Sequence, residues 1–596
     1  MREKEDNVRS ASLARLHSSM LIRKISIRGL IAGGIILVSL LLRLVLVGLG
    51  WPLTNSDEGV WGIMALHIAY HGDHPLFYYG QHYMGSWEAF LGALLFRLLG
   101  PSLFTLRLVT ISAFAIFLLS IYLLTRLLFS RTYALITLLL VGLGSGFVIS
   151  VEILVYGGYA ETLAFSALLF LGASWLALTY RMQGPTQQVW RWIVYLGWGL
   201  VAGLGLWIDQ LILPAICGSG LLILIICWRE LLSPLPLFSL LVGTLFGAAP
   251  LIDYNLHAPR SQSSLAILAR LRSPDGVSLY TTSAILKELH GTFQISVPMM
   301  TGEPFCPVSE SLYLAPSSPH TLACSIAHGG WSLSYLLLLA ISCVLTGWGI
   351  WRVWRKKKQI KDEPTLQIEL RRQLARLLLL LSALITLVSY TFSNSPQTVP
   401  AATARYLIFL LVITPVVFWP LWQGLQTFRT RTDFVGRALR GFCVIALLCF
   451  CGSSLVGSIL AFTEVPAAAA MNQNDANLIQ ELQHLGVTGI YTNYWTCGKI
   501  AFESDEHILC VVLNSQMQTD PVPSHNRYHP YILAVHTAHK IAYVFSTDPA
   551  QFPASGIYRS LIDPNAPIAS LPEPYRSNFV RIELNSYIIY LPQSSQ

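Results

Sequence analysis

The chain has 596 residues, of which 54% are hydrophobic and only 12% charged. A soluble globular protein carries about 25% charged residues, so the composition excludes an ordinary soluble protein of this length. The net charge of +8 is explained by placement: 25 of the 39 Lys and Arg fall in six short segments that one topology puts on the cytoplasmic side. That is the positive-inside bias of membrane proteins rather than a nucleic-acid footprint. Anionic lipid headgroups near Arg355-Lys356-Lys357-Lys358 are a further partner this charge suggests.

The N-terminal segment is basic and leads into an apolar run ending at Gly50-Trp51-Pro52-Leu53. No small-x-small cleavage site follows, so an uncleaved first span is expected. Requiring each inner loop to be basic gives eleven spans, near 30–50, 103–128, 133–151, 159–180, 192–208, 211–228, 235–252, 331–351, 374–392, 405–426 and 441–462. The inner turns carry Arg126 and Arg131; Arg181 and Arg191; Arg229; the 352–376 cluster; and Arg429, Arg431, Arg437 and Arg440. One orientation satisfies them all, with the N-terminus cytoplasmic and the C-terminus outside. The expected architecture is an all-α polytopic membrane domain over 1–462, with outer loops 51–102 and 253–330, followed by an extracytoplasmic domain over 463–596.

That C-terminal domain reads as a small α/β unit: helical periodicity from Asn474 to Leu485, then short apolar strands at 489–491, 508–513, 541–545 and 587–591. Of ten cysteines, Cys217, Cys227, Cys343, Cys443, Cys449 and Cys451 lie in apolar spans as small packing residues. Cys306, Cys324, Cys497 and Cys510 face outward, where pairs 306–324 and 497–510 are one arrangement among those the sequence permits.

The first outer loop has no Lys or Arg before Arg97 but contains Asp57, Glu58, Asp73, Glu88 and four histidines. Asn55 and Glu58 have capping spacing for a short helix over Gly59–His71, with Trp61, Met64, Ala65 and Ile68 on one face, as for a helix lying on the membrane surface. A second such helix is expected from Ser86 to Leu99. Acidic residues in a first turn favour the positive end of the helix dipole, which alone accounts for Asp57-Glu58. The same position suits a general base at the water–membrane boundary. His67-x3-His71 puts two imidazoles on one face near Asp73, a spacing compatible with metal. Without a Cys or His-Glu signature no metal or other cofactor is assigned, although a divalent ion is compatible.

Ser56-Asp57-Glu58, then Gly80-Gln81-His82-Tyr83-Met84-Gly85, then Leu98-Leu99-Gly100 with Arg107 at the head of the second span, form a composite pattern. It resembles the GT-C superfamily of membrane glycosyltransferases, in the branch of protein O-mannosyltransferases, the lipid A aminoarabinose transferase and RgtA/B/C/D-like enzymes. The similarity runs over roughly residues 30–260 and resumes at Ala404-Arg405-Tyr406. The resemblance implies an inverting transferase moving a sugar from a polyprenyl-phosphate carrier to an acceptor hydroxyl of a glycan, lipid or protein on the outer face. Asp57 then matches the catalytic aspartate and Glu58 a neighbour that positions the acceptor. The lipid A enzyme has a donor-phosphate lysine in the stretch aligned with Gly80 to Tyr83, where this chain has Gln81 and His82. A cation is still required where charge develops on the leaving phosphate, and His82 or Arg405 is expected to supply it.

Glu161 and Asp209, at outward ends of spans, read as a solvated rim or as groups that bind sugar hydroxyls. Tyr78, Tyr79 and Tyr83 read as an interfacial aromatic belt, with Tyr79 also a sugar-contact candidate. Tyr494-Trp495 and the stretch 500–504 resemble a segment in bacterial members of this branch, with acceptor recognition and folding support as equal readings. The glycines at 142, 144 and 146 read as helix packing rather than a nucleotide loop. A transporter or lipid flippase is the rival class, and a silent scaffold a third. Transporters place ionisable groups at mid-membrane and show internal repeats. Here the acids collect at the rim and no repeat is evident.

Overall fold

A computed structural model describes residues 27–180, 185–264, 266–267, 281–306, 321–359, 363–431, 433–514, 516–547, 561 and 578–593. The chain is a multi-pass membrane protein. Eight described helices are long and apolar enough to cross a bilayer, and two bent helix pairs bring the total to ten. The unbroken ones include α1 (Ile27–Gly48), α4 (Leu103–Leu128), α7 (Tyr159–Leu178), α8 (Pro185–Ile208) and α9 (Leu213–Leu231). Later come α12 (Leu322–Gln359), α13 (Pro364–Thr391), and α14 (Phe434–Thr463), which runs on into α15 (Val465–His484).

Three of the eleven expected spans are not single helices. The 133–151 stretch is α5 (Arg131–Gly142) and α6 (Gly146–Ile153), bent by 87°. The 235–252 stretch is α10 (Pro234–Gly247) and α11 (Ala249–His257), bent by 62°. The 405–426 stretch is a string of short α and 3-10 pieces from Pro400 to Thr427. Pro400, Pro415 and Pro420 punctuate it, each removing an amide that a continuous helix needs. Elsewhere small residues bring helices together: a Cβ on Gly199 would meet the Leu240 carbonyl oxygen at 2.3 Å, and one on Gly243 the Leu196 carbonyl oxygen at 2.2 Å. Gly199-x3-Gly203 on α8 thus faces Gly243-x3-Gly247 on α10, the small-x3-small solution to packing in lipid.

The C-terminal unit holds a five-stranded sheet in the order β2-β1-β3-β5-β4. Its strands are β1 (Gly489–Thr492), β2 (Leu509–Val512), β3 (Ile541–Ser546), β4 (Phe579–Leu584) and β5 (Tyr587–Pro592). β1 runs parallel to β2 and β3, while β5 is antiparallel to β3 and β4. Strand β4 was not foreseen, because Arg581 and Glu583 interrupt its apolar pattern. Helix α16 (Tyr494–Glu503) connects β1 to β2 and is fastened by the disulfide Cys497–Cys510. The second disulfide joins Cys306 to Cys324.

The first-loop helices are α2 (Ser56–Leu66), extended by a π-helical turn at His67–His71, and α3 (Trp87–Leu99). The membrane-surface expectation for α2 is corrected: ten of its eleven residues are buried, and Asp57 is the exception. The reason lies on the face that periodicity treated as polar. Gly59 and Gly62 let α16 approach so closely that an added Cβ would lie 2.4 Å from Gly498 and 2.5 Å from the Phe502 ring. Trp61, Ile63 and Met64 share one apolar core with Leu478, Ile500 and Phe502 of the sheet unit.

Gly498→Ala tests this contact, since its Cβ would fall 2.5 Å from the Ser56 carbonyl oxygen. Overpacking of this kind costs about 1–3 kcal/mol, read as a lower melting temperature of the purified protein. An unchanged melting temperature would refute the close approach.

Candidate functional site

Helix α2 starts where the Asn55 side chain accepts a hydrogen bond from the Glu58 amide at 2.9 Å. The Ser56 hydroxyl accepts from the Gly498 amide at 2.9 Å, tying the start of α2 to α16. The two acids that follow have opposite fates. Glu58 is fully buried and takes a bidentate grip from Arg107 on α4, Nε to Oε1 at 2.9 Å and Nη2 to Oε2 at 2.7 Å. Its Oε1 also accepts from the Val155 amide at 3.2 Å. The Glu58 side chain has no exposed face.

Asp57 keeps 15% of its side chain exposed. Its Oδ1 accepts from Arg527 Nη2 at 3.0 Å and from the Tyr494 hydroxyl, while its backbone carbonyl accepts from the Tyr78 hydroxyl at 3.0 Å. Arg527 Nε in turn donates to the Tyr494 oxygen at 2.7 Å, and the guanidinium lies 4.5 Å from the centre of the Tyr78 ring. Burial, with the Asp57 charge adding to it, holds the Tyr78 and Tyr494 phenols well above their ordinary values, so both remain donors. The hydrogen bonds to the carboxylate all converge on Oδ1; among the described residues none reaches Oδ2. One oxygen is anchored and the other is available.

The remaining candidates divide into four groups. Asp209 caps the Leu211 amide at 2.9 Å, and burial pushes its carboxyl up to about 7, with that amide and then Arg405 pulling the other way. Arg405 lies over Tyr156 at 4.7 Å and Tyr159 at 5.2 Å. Burial, and then the Tyr406 phenol, hold the Tyr83 phenol well above its ordinary value, with the Arg527 charge lowering it and those of Asp209 and Asp57 adding to the rise. Glu161 belongs elsewhere. It is buried and faces Glu88, whose two oxygens accept from the Gly157 and Gly158 amides at 3.3 and 3.0 Å. Those glycines have φ of +143° and +72°, which lets the turn aim both amides at one carboxylate.

His82 is stacked on Tyr254 at 5.4 Å, and burial lowers its pKa from the ordinary value. That direction favours the uncharged imidazole over the cationic form. Tyr79 is drawn away from Asp57: its hydroxyl donates to Asp73 at 3.2 Å and meets His67 Nδ1 at 3.0 Å. The opposite ring nitrogen of His67 faces Glu506 at 2.9 Å, and His67, His71 and Glu506 have ligand atoms within 4.8 Å of one another. These three, rather than the pair with Asp73, are the residues with metal-ligand spacing. In the similar group of Glu303, Cys306 and His328, the disulfide takes the thiolate.

Sequence reasoning missed Arg527, Glu88 and the contact made by Tyr494. The Tyr494-Trp495 segment carried a signal without a chemistry. Arg527 carried none, being a lone cation in a polar loop 470 residues from its carboxylate.

No protein-family model matches the chain, and no curated protein matches it. Solved structures do. ArnT from Cupriavidus metallidurans bound to undecaprenyl phosphate aligns with a TM-score of 0.53 at 12% identity, covering 94% of this chain and 98% of that one. Its apo state aligns at 0.54 and 12% identity, covering 94% and 97%. The oligosaccharyltransferase of Archaeoglobus fulgidus in the apo form is a looser likeness, with a TM-score of 0.45 and 12% identity over 87% of this chain and 70% of that one. The chain therefore shares the fold of ArnT, membrane bundle and sheet unit together.

The Glu88–Glu161 contact yields a pH prediction. Burial first, and then Glu161, raise the Glu88 carboxyl well above its ordinary value. A carboxyl so raised holds a proton in the folded state that the unfolded chain releases, so stability falls as pH rises beyond the ordinary carboxyl range. Glu88→Gln should flatten the fall in melting temperature as pH rises above about 5. A fall as steep as that of wild type would show that the pair holds no such proton.

Proposed function

We propose that the chain is an inverting glycosyltransferase that moves a sugar from a polyprenyl-phosphate carrier to an acceptor hydroxyl at the extracytoplasmic membrane surface. The carrying observation is the half-engaged carboxylate of Asp57: Oδ1 is held by Arg527 and Tyr494 while Oδ2 is left for a reactant. It is also the one residue of α2 that is not buried. The fold shared with ArnT, a protein whose structure was determined with undecaprenyl phosphate, supports a lipid-phosphate carrier.

In the proposed reaction the acceptor hydroxyl gives its proton to Asp57 Oδ2 as its oxygen bonds to the anomeric carbon. The bond from that carbon to the carrier phosphate breaks, and the electron pair leaves on the phosphate. Inversion follows because nucleophile and leaving group occupy opposite faces. Arg405 is assigned to the charge developing on the leaving phosphate, and Asp209 beside it to sugar hydroxyls. His82 is not given the cationic role. Glu161 is assigned to the buried pair with Glu88, and Tyr79 to the His67 network, rather than to direct sugar contact. Arg527 and Tyr494 are positioning residues. No bound metal is needed for these steps.

The test is transfer from labelled polyprenyl-phosphate sugars in membranes holding wild type or Asp57→Asn. Losing a general base costs about 10²–10⁴-fold, so transfer should fall by at least about a hundredfold with folding intact. Equal transfer by the two proteins would refute Asp57 as the base. Absence of transfer from every carrier sugar, with solute uptake instead, would support a transporter. The proposed orientation has its own test: reporters fused within 352–376 and after the C-terminus should lie on opposite sides of the membrane.

A further inference from the structure

At the end of the bundle away from Asp57, the last turns of α12, the first turns of α13, the end of α4 and the helix Trp419–Thr427 enclose a cavity of about 770 Å³. Five cations line it, Arg352, Arg355, Lys356, Arg372 and Arg376, against one acid among the described residues, Glu369. Glu369 lies 3.8 Å from Arg372, so five cations less one acid leave an excess of four positive charges on the wall.

These cations are poorly compensated. Arg376 is only 7% exposed; its Nη2 donates to the Leu128 carbonyl, and among the described residues its Nε has no hydrogen-bond partner. The Nε of Arg372 likewise has none. Arg352 and Arg355 lie over the Trp348 and Trp351 rings at 3.4 and 4.0 Å. Such stacking fixes a guanidinium while leaving its N–H edge free for oxygen acceptors. The buried Arg376 guanidinium is costly until an acceptor or counterion meets it, and Arg352, Arg355 and Lys356 stand exposed around it, open to an anion arriving from outside.

The depth of the cavity identifies the counterion. From Arg107 to Leu128, α4 rises 1.5 Å per residue, about 31 Å in all, close to one hydrocarbon thickness. The cavity therefore lies at headgroup level in the leaflet opposite Asp57. Beside it, α12 leaves Leu337, Ile341, Val344 and Trp348 exposed, a track suited to an acyl chain. We propose that the cavity binds the phosphate of an anionic glycerophospholipid whose chains lie along α12.

The experiment takes the full-length protein, purified in detergent and stripped of lipid, with phosphatidylglycerol, phosphatidylcholine and inorganic phosphate as probes. Native mass spectrometry should show phosphatidylglycerol retained with about a tenfold preference over phosphatidylcholine, and melting temperature should rise with it. Arg355→Gln and Arg372→Gln should each reduce that preference. Arg440→Gln, an exposed arginine outside the cavity, should leave it intact. Equal retention of the two lipids, or wild-type preference in both cavity variants, would overturn the proposal. Inorganic phosphate stabilising as well as the lipid would overturn the lipid assignment and leave a soluble anion as the ligand.

Discussion

Two charges taken out of water, the Glu58 carboxylate and the Arg107 guanidinium, face each other where the first loop meets the second span. Removing either partner of such a pair costs about 3–5 kcal/mol, because the other is left charged and buried. That penalty fixes α2 against the bundle. The residue before Glu58 then points the other way, toward the sheet unit, where Arg527 and Tyr494 meet it. The paired acids are thus a division of labour: one is consumed in anchoring so that the other can remain accessible.

The same contact makes the sheet unit more than an appendage. Its helix α16 packs backbone to backbone on α2 and contributes to one apolar core with the first loop. The buried Lys499 ammonium pairs with Asp475 at 2.7 Å, and the Tyr587 hydroxyl donates to the same carboxylate at 2.5 Å. This network joins α16, α15 and β5, so the elements carrying Tyr494 are tied to the helix that leaves the membrane. The candidate site exists only where bundle and sheet unit are both in place.

Much of this was legible from residue patterns, and the failures have physical causes. Hydropathy located most of the spans, because bilayer insertion is written in local composition. The proline-rich stretch from Pro400 to Thr427 defeated that logic: its composition is apolar enough, but its backbone cannot form one helix. Helix α2 was misread because a glycine is neither apolar nor polar to a periodicity analysis. Gly59 and Gly62 mark the closest packing in the loop rather than a solvent face. Asp57 stood out through its position after the first span. Arg527 could not, since nothing local to residue 527 refers to residue 57.

That separation has a consequence for how the protein is made. Asp57 emerges early, but Tyr494 and Arg527 follow 437 and 470 residues later. At about 5–20 residues per second, the ribosome needs roughly twenty seconds to a minute and a half to add the side chains that grip the carboxylate. Throughout that interval the nascent chain has the Asp57 carboxylate but not its holder. A truncated product that inserts normally would thus carry the Asp57 carboxylate without the contacts that hold its Oδ1.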